Sequence, residues 1–163
     1  MTSSKPVSPR QVLTKMEELC SRAEYSSGEV RMRVIRMGIP PQMADRIVNR
    51  LVETRFIDDE RFARVFVREK LTYARWGRQK IIAALYKKGI ERSIINETVD
   101  QIDIDEYTSI LANLLQAKMR SIGADPQRLD NVSKAKLYRF AASRGFESSV
   151  ISSALNVLTS LNK

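Results

Sequence analysis

The sequence predicts an all-α protein: three tandem three-helix repeats, helix-turn-helix-like in plan, forming an elongated, curved array. Three observations predict it. Gly38, Gly89 and Gly145, 51 and 56 residues apart, align without a gap across their flanking apolar positions. Apolar residues around each glycine recur in steps of three and four, the period of one helix face. Strict alternation of apolar and polar residues, the mark of a half-buried strand, is absent throughout.

The register is specific. Eight residues before each glycine stand Val30, Ile81 and Leu137, and four before stand Val34, Leu85 and Ala141. Ile39, Ile90 and Phe146 follow directly, then Ala44, Ile95 and Ile151, then Val48, Val99 and Leu155, then Leu51, Ile102 and Leu158. Each repeat therefore reads as helix, glycine turn, helix. The glycine suits the position just past a helix end, where a left-handed backbone costs little without a side chain. Ile90 is placed to fold back on Leu85, as in a Schellman turn.

Taken in chain order, residues 1–8 read as a flexible tail rather than a signal peptide, because they hold Ser and Pro and no apolar core. The first repeat spans 9–57 and opens with a helix over about 9–24, with Leu13, Met16 and Leu19 in step. Ser26 and Glu29 form a capping box before Val30. The second repeat spans 58–104; Asp58 or Asp59 caps a helix over about 60–75, and Gly77 takes the place of Ser26 but caps less well. The third repeat spans 105–163 and opens with a helix over about 106–121. Its five extra residues fall in 122–132, around Gly123 and Pro126, which is loop chemistry. Ser133 takes the capping place there. A repeat of about 50 residues buries little alone, so neighbours are expected to stack or share a core.

Composition restricts the chemistry. Hydrophobic residues are 43% and charged residues 29%, a foldable balance, and no apolar run approaches the ~20 residues needed to span a bilayer. There is no histidine, which excludes His-containing triads and His metal sites. The single cysteine, Cys20, rules out an internal disulfide and suits a reducing cytoplasm. It falls in register with Leu71 and reads as core. Asp58, Asp59 and Glu60 resemble an acidic cluster for Mg²⁺ or acid–base work, but they precede a helix, where carboxylates are stabilised by capping and by the helix dipole. The glycines form no phosphate-binding loop. An enzyme, a cofactor and a metal are therefore not expected.

The net charge of +9 favours a polyanionic partner. From Arg61 to Arg92 ten Lys and Arg face only Glu69 and Glu91. At roughly 100° per residue Arg61, Arg64, Arg68 and Arg75 fall within about one sixth of a turn, with Phe62, Phe66 and Tyr73 directed to the core. Lys80 and Lys87 oppose Ile81, Ile82 and Leu85 on the next helix. The candidate partner- or DNA-binding face is therefore Arg61, Arg64, Arg68, Arg75, Trp76, Arg78, Lys80, Lys87 and Lys88; each taken alone could equally be a solvated surface residue. Lys70 lies in the apolar arc and either snorkels or pairs with an acid near Asp58.

Two function classes compete. Helix-turn-helix DNA readers place the last helix in the major groove. Here that helix carries Glu91, Glu97, Asp100 and Asp103 against Arg92 in the second repeat, and Glu147 with no cation in the third. Phosphate would repel it, so operator reading by a free-standing DNA-binding protein is the weaker alternative.

The motifs carry a family resemblance. Phe56, Ile57, Asp58, Asp59, Glu60, Arg61, Phe62 and Ala63 resemble the "FIDDERFA" element of the RecX family, RecA regulators. Trp76-Gly77-Arg78-Gln79-Lys80-Ile81 follows as in that family, and LYKKGI, from Leu85 to Ile90 with Gly89 within it, is similar to its "L-x-x-K-G-I". Cys20 to Glu24, with Ser26, resembles a first-repeat "SRREYS"-like element, with Ala23 where a second basic residue is common. The likeness is strong over 56–103, good over 12–52 and only architectural beyond Tyr107. In that motif Phe56, Ile57, Asp58, Asp59, Phe62, Ala63, Gly77 and Gly89 are structural.

The resemblance implies a bacterial, cytoplasmic, monomeric, non-enzymatic protein. It implies binding along the groove of the RecA–DNA filament, with inhibition of RecA's ATPase, strand exchange and coprotease activities, in DNA repair, recombination and the SOS response. RecA is the implied partner, with the backbone of single- or double-stranded DNA as a further contact and no membrane. A far-ultraviolet circular dichroism spectrum should be helix-dominated, and a strand-dominated one would sink the repeat reading.

Overall fold

A computed structural model describes residues 5–160, which form nine helices and no strand. They are α1 (Pro9–Arg22), α2 (Ser27–Arg36), α3 (Pro41–Glu53), α4 (Asp59–Thr72), α5 (Arg78–Lys87), α6 (Arg92–Asp100), α7 (Ile104–Ser121), α8 (Asn131–Ser143) and α9 (Ser148–Ser160). Of the tail expected over 1–8, residues 1–4 lie outside the described residues. Ser8 is no loose end: its hydroxyl accepts from the Gln11 N–H, and the Gln11 side chain accepts from the Ser8 N–H, which starts α1 at Pro9.

The expected glycine turns are present. Gly38, Gly89 and Gly145 adopt φ of 90°, 75° and 93°. At each, the glycine N–H donates to the carbonyl three residues back, and the following residue donates to the carbonyl five back: Ile39 to Val34, Ile90 to Leu85, Phe146 to Ala141. That is the Schellman pattern. The apolar register is the core register, since every residue aligned to the glycines is buried except Leu155 and Ile102, which are half-buried.

The chain divides into two compact units. The first takes the chain up to Val65 together with Leu85–Ile95. In it α1 and α2 pack on α3 around Val12, Met16, Val30, Val34, Ile47, Leu51 and Ile57. Cys20 packs against this core half-buried, and burial, reinforced by Glu24, pushes its thiol up. The second unit takes Phe66–Ala84 and the chain from Asn96. Its α7, α8 and α9 pack mutually, burying Tyr107, Leu111, Leu115, Leu137, Phe146 and Ile151.

Each unit contains the same joint. In the first, the start of α2 lies against the turn after α5. Ser26 Oγ donates to the Lys88 carbonyl at 2.6 Å, and the Ser27 N–H donates to Asp59 at 2.8 Å. In the second, the start of α5 lies against the turn after α8. The Gly77 N–H donates to the Arg144 carbonyl at 2.8 Å, and the Arg78 N–H donates to the Tyr107 hydroxyl at 3.0 Å. Ser26 and Gly77 are the residues that the sequence register equates. Gly77 therefore stands at a helix start for a reason other than capping: a Cβ there would sit 2.4 Å from the Gly145 backbone. Gly28 is equally confined: a Cβ there would sit 2.4 Å from the Lys88 oxygen.

Three expectations change. α4 ends at Thr72 rather than near 75, and Arg75 adopts φ 55° beyond it. Tyr73, just past the helix end, is 82% exposed instead of in the core. Ser133 is not a cap: α8 starts earlier, with Asp130 as the N-cap accepting from the Ser133 N–H at 2.7 Å.

Two glycines should separate steric from conformational strain. Gly38 has φ 90° with nothing within 4 Å of an added Cβ. Gly38→Ala should therefore cost only the backbone penalty, about 1 kcal/mol. Gly77 has no positive φ but no room, so Gly77→Ala should cost more, roughly 2–3 kcal/mol, as an overpacked site does. Urea unfolding of both variants checks the order, and equal losses would refute it.

Candidate functional site

The structure sorts the sequence-predicted cations into two groups. In the first group each guanidinium or ammonium is engaged. Arg61 donates to Glu24 at 2.7 Å and lies 3.9 Å from Asp58. Arg68 pairs with Glu106. Arg78 donates to Glu147 at 2.8 Å with the two side chains 22% and 26% exposed, and its guanidinium sits 4.0 Å from the Tyr107 ring centroid. Lys88 pairs with Glu29 and lies 5.8 Å from the Phe62 ring. Lys80 lies 4.6 Å from the Trp76 ring.

In the second group, Arg64, Arg75 and Lys87 are exposed and form no ion pair among the described residues. The expected single stripe is therefore not a uniform binding face. Arg61 and Arg68 are neutralised by acids from beyond α4, near the end of α1 and on α7, that a wheel of α4 alone cannot see. Arg75 leaves the wheel because the helix has ended. On α5, Ile82 is partly exposed, while Ile81 and Leu85 are fully buried.

Trp76 is half-buried, edge-on to Phe66, with Lys70 4.9 Å from its ring and 5.4 Å from that of Phe66. Lys70 thus keeps to the apolar arc by resting its charge on two aromatic faces rather than on an acid near Asp58. Trp76 therefore carries one ammonium from α4 and another, Lys80, from α5.

Around Tyr107 the second unit holds a polar cluster. The buried hydroxyl accepts from the Arg78 N–H and donates to the Glu147 carboxylate. Burial and the Glu147 carboxylate push the phenol well above its ordinary range. The Tyr107 hydroxyl thus bridges the Arg78 N–H and the Glu147 carboxylate. The acidic cluster also resolves as structure. Asp58 accepts from the Arg61 N–H at 3.0 Å as the cap of α4, and Asp59 accepts from Ser27 across the joint. No metal-ligating group occurs among the described residues.

A second basic surface escapes the sequence reading. On α2, Arg33 and Arg36 line two open depressions of about 340 and 430 Å³, joined there by Lys15 of α1 and Lys87 of α5. The run from Arg31 to Arg36 holds three arginines and no acid. That run is the signal in the sequence, and the denser cluster in the middle repeat outweighs it.

The fold and these surfaces define a class: an all-α tandem-repeat protein whose accessible chemistry is cationic. Residues 58–99 match the family model described as "RecX, second three-helix domain", and residues 105–155 match "RecX, third three-helix domain". The chain belongs to the RecX family. The third repeat thus carries a family match, where the sequence motifs indicated only architecture.

A regulatory protein RecX of Clostridium tetani is 32% identical over 130 residues, covering 80% of this chain and 59% of that protein. One of Syntrophotalea carbinolica is 29% identical over 135 residues, covering 82% and 86%. The chain spans only 59% and 38% of the lengths of its Clostridium tetani and Oceanobacillus iheyensis relatives. A crystal structure of RecX from Lactobacillus salivarius superposes with a TM-score of 0.82 at 17% identity, covering 92% of this chain and 96% of that one. That likeness supports the fold alone. No helix among the described residues is long and apolar enough to cross a membrane.

The Glu29–Lys88 pair gives a pH prediction. Burial raises the Glu29 pKa, but the hydrogen bonds from Lys88 and Ser26 outweigh it and leave it below the ordinary 4.5. A carboxylate depressed in the folded state stabilises fully above its unfolded pKa and loses this as pH falls through the folded value. Wild type should therefore exceed Glu29→Gln in melting temperature at pH 7, with the gap closing below about pH 4.5. A gap constant from pH 7 to 3 would exclude this role.

Proposed function

We propose that this protein is a non-enzymatic negative regulator of RecA that binds the groove of the RecA–DNA filament. Bound there, it inhibits ATP hydrolysis, strand exchange and coprotease activity. The observation that carries the reading is the family match of both the second and third three-helix domains, with relatives named regulatory proteins. The physical features agree. Tandem repeats suit a target that itself repeats, and a net positive surface is steered towards a nucleoprotein. The partners of this reading are the RecA filament and, within it, the DNA backbone. The protein acts as a monomer in the cytoplasm, in DNA repair and the SOS response.

Within the face expected from the sequence, Arg64, Arg75 and Lys87 are the residues we assign to the filament. Arg61, Arg68, Arg78 and Lys88 are already paired with acids of this chain. Reversing Arg68 would set a glutamate beside Glu106, so a clean test uses Arg64→Glu with Arg75→Glu. Neither forms an ion pair among the described residues, and surface changes of this kind typically cost within about 0.5 kcal/mol.

The deciding experiment is ATP hydrolysis by RecA on single-stranded DNA with this protein titrated in. Substoichiometric inhibition is expected, because blocking a filament end affects many protomers. The double reversal should retain its melting temperature and inhibit at least several-fold less well. Unchanged ATPase and strand exchange at saturating wild-type protein would overturn the reading.

A further inference from the structure

We propose that the turn at Gly38, which ends α2, docks the first turn of an acidic α-helix belonging to another protein. This goes beyond the regulatory reading, since the interaction needs neither RecA nor DNA.

The chain builds this kind of contact twice for itself. In the first unit the start of α2 lies on the Gly89 turn. Ser26 Oγ donates to the Lys88 carbonyl, and a Cβ on Gly89 would stand 2.9 Å from the Gly28 Cα. In the second unit the start of α5 lies on the Gly145 turn. The Gly77 N–H donates to the Arg144 carbonyl, and a Cβ on Gly145 would stand 2.4 Å from the Lys80 Cβ. Gly38 has the same register, the same Schellman hydrogen bonds and φ 90°, yet nothing lies within 4 Å of an added Cβ. Met37 holds the place of Lys88 and Arg144, and its carbonyl accepts no hydrogen bond among the described residues. The Gly38 turn thus has the backbone that receives a helix start, and receives none from the described residues.

A second copy of the chain is the poorer occupant. Of the three residues equated at the helix start, Ser26 and Gly77 are already engaged. Ser133 lies inside α8, with its N–H held by Asp130. The described residues therefore offer no third helix start in this register.

Charge selects the partner. The 430 Å³ depression that Met37 lines is shared with Met16, Leu19, Lys15, Arg33 and Arg36, and no carboxylate lines it. None of its three cations forms an ion pair among the described residues. In both filled joints the side chain before the glycine holds the arriving segment: Lys88 pairs with Glu29, and Arg144 donates to the Ala74 carbonyl at 3.3 Å. At Gly38 the cation stands one residue earlier, at Arg36, and Met37 adds an adaptable apolar surface. The carbonyl end of α2 also favours the positive end of an arriving helix. The fitting partner is a helix opened by Ser or Gly, with a glycine in its first turn for the close approach. It carries an apolar residue towards Met37 and Asp or Glu on the flank facing Arg33 and Arg36.

The test is fluorescence anisotropy with labelled synthetic peptides, stapled on the far face so that they are helical in solution. The first probe begins Ser-Ser-Gly-Glu and carries glutamates on the facing flank. A second replaces its glycine with leucine, and a third replaces its glutamates with lysines. The first should bind wild type saturably. The other two should bind at least about tenfold more weakly, one from the clash with the turn and one from like charge. Gly38→Asn should weaken the first probe by a similar factor, since asparagine tolerates positive φ while its side chain fills the turn. Gly123→Asn is the control: Gly123 has φ 67° and nothing within 4 Å, but lies outside this register. Its affinity for the first probe should stay within about twofold of wild type.

The two variants should melt together. If Gly38→Asn melts lower, Arg36→Glu replaces it and should weaken the acidic probe at least about fivefold while strengthening the lysine probe. No saturable binding of the first probe, equal binding of the acidic and lysine probes, or undiminished binding by the variant would overturn the proposal. So would a wild type that self-associates in sedimentation and loses this in Gly38→Asn, because the turn would then take a second copy. The assay contains no RecA, so the ATPase experiment judges the regulatory reading independently.

Discussion

The fold depends on one close approach, made once in each compact unit. The first turn of a middle helix lies directly on the backbone of a glycine turn. Gly28 faces Lys88 and Gly89, and Gly77 faces Gly145, at separations where a Cβ could not be placed. At that distance the polar groups of the two backbones must satisfy one another, because water has no room to do so. Hence the hydrogen bonds to the Lys88 and Arg144 carbonyls, and the capture of the next helical N–H by Asp59 or by the Tyr107 hydroxyl. The glycine of the turn thus serves twice. It permits the left-handed backbone that ends one helix, and it leaves the space that the next joint occupies.

The same joints decide where the positive charge is spent. Lys88 and Arg78 lie at the two joints and are taken up by Glu29 and Glu147. Arg61 and Arg68 are engaged on α4 by Glu24 and Glu106. The two exposed pairs on α4 add little stability, about 0–1 kcal/mol each. Their larger consequence is electrostatic: a paired cation contributes little outward field, so the potential that a polyanion meets comes from the cations left over. That shifts emphasis from a continuous arginine stripe to Arg64 and Arg75, and to the α2 face that Lys87 joins.

Much of the architecture is legible in the sequence because it is repeated. Val30, Ile81 and Leu137, or Val34, Leu85 and Ala141, have the same task in each copy, and all six are fully buried. Positive φ at Gly38, Gly89 and Gly145 follows from local rules alone, since a helix end and the residue after it lie within six positions of sequence. Ser26 with Glu29, and Asp58 before α4, are readable as caps for the same reason. Where a local rule extends past its element it fails. Arg75 and Tyr73 belong to a wheel that the chain leaves at Thr72, and Ser133 belongs to a register that Asp130 pre-empts.

By itself the sequence determined the helical class, the repeat, the buried face of each helix and the excess of cations, because period and composition are properties of neighbouring residues. Only the tertiary structure decided which cations are free. Glu24 and Arg61 are 37 residues apart, Arg68 and Glu106 are 38 apart, and Arg78 and Glu147 are 69 apart. No helical period links residues at such separations. The same holds for Gly77, whose small size makes only a poor cap until the Gly145 backbone stands against it. A charge or a missing side chain acquires its meaning from what lies within a few ångströms, and at these positions packing alone brings the distant partner near.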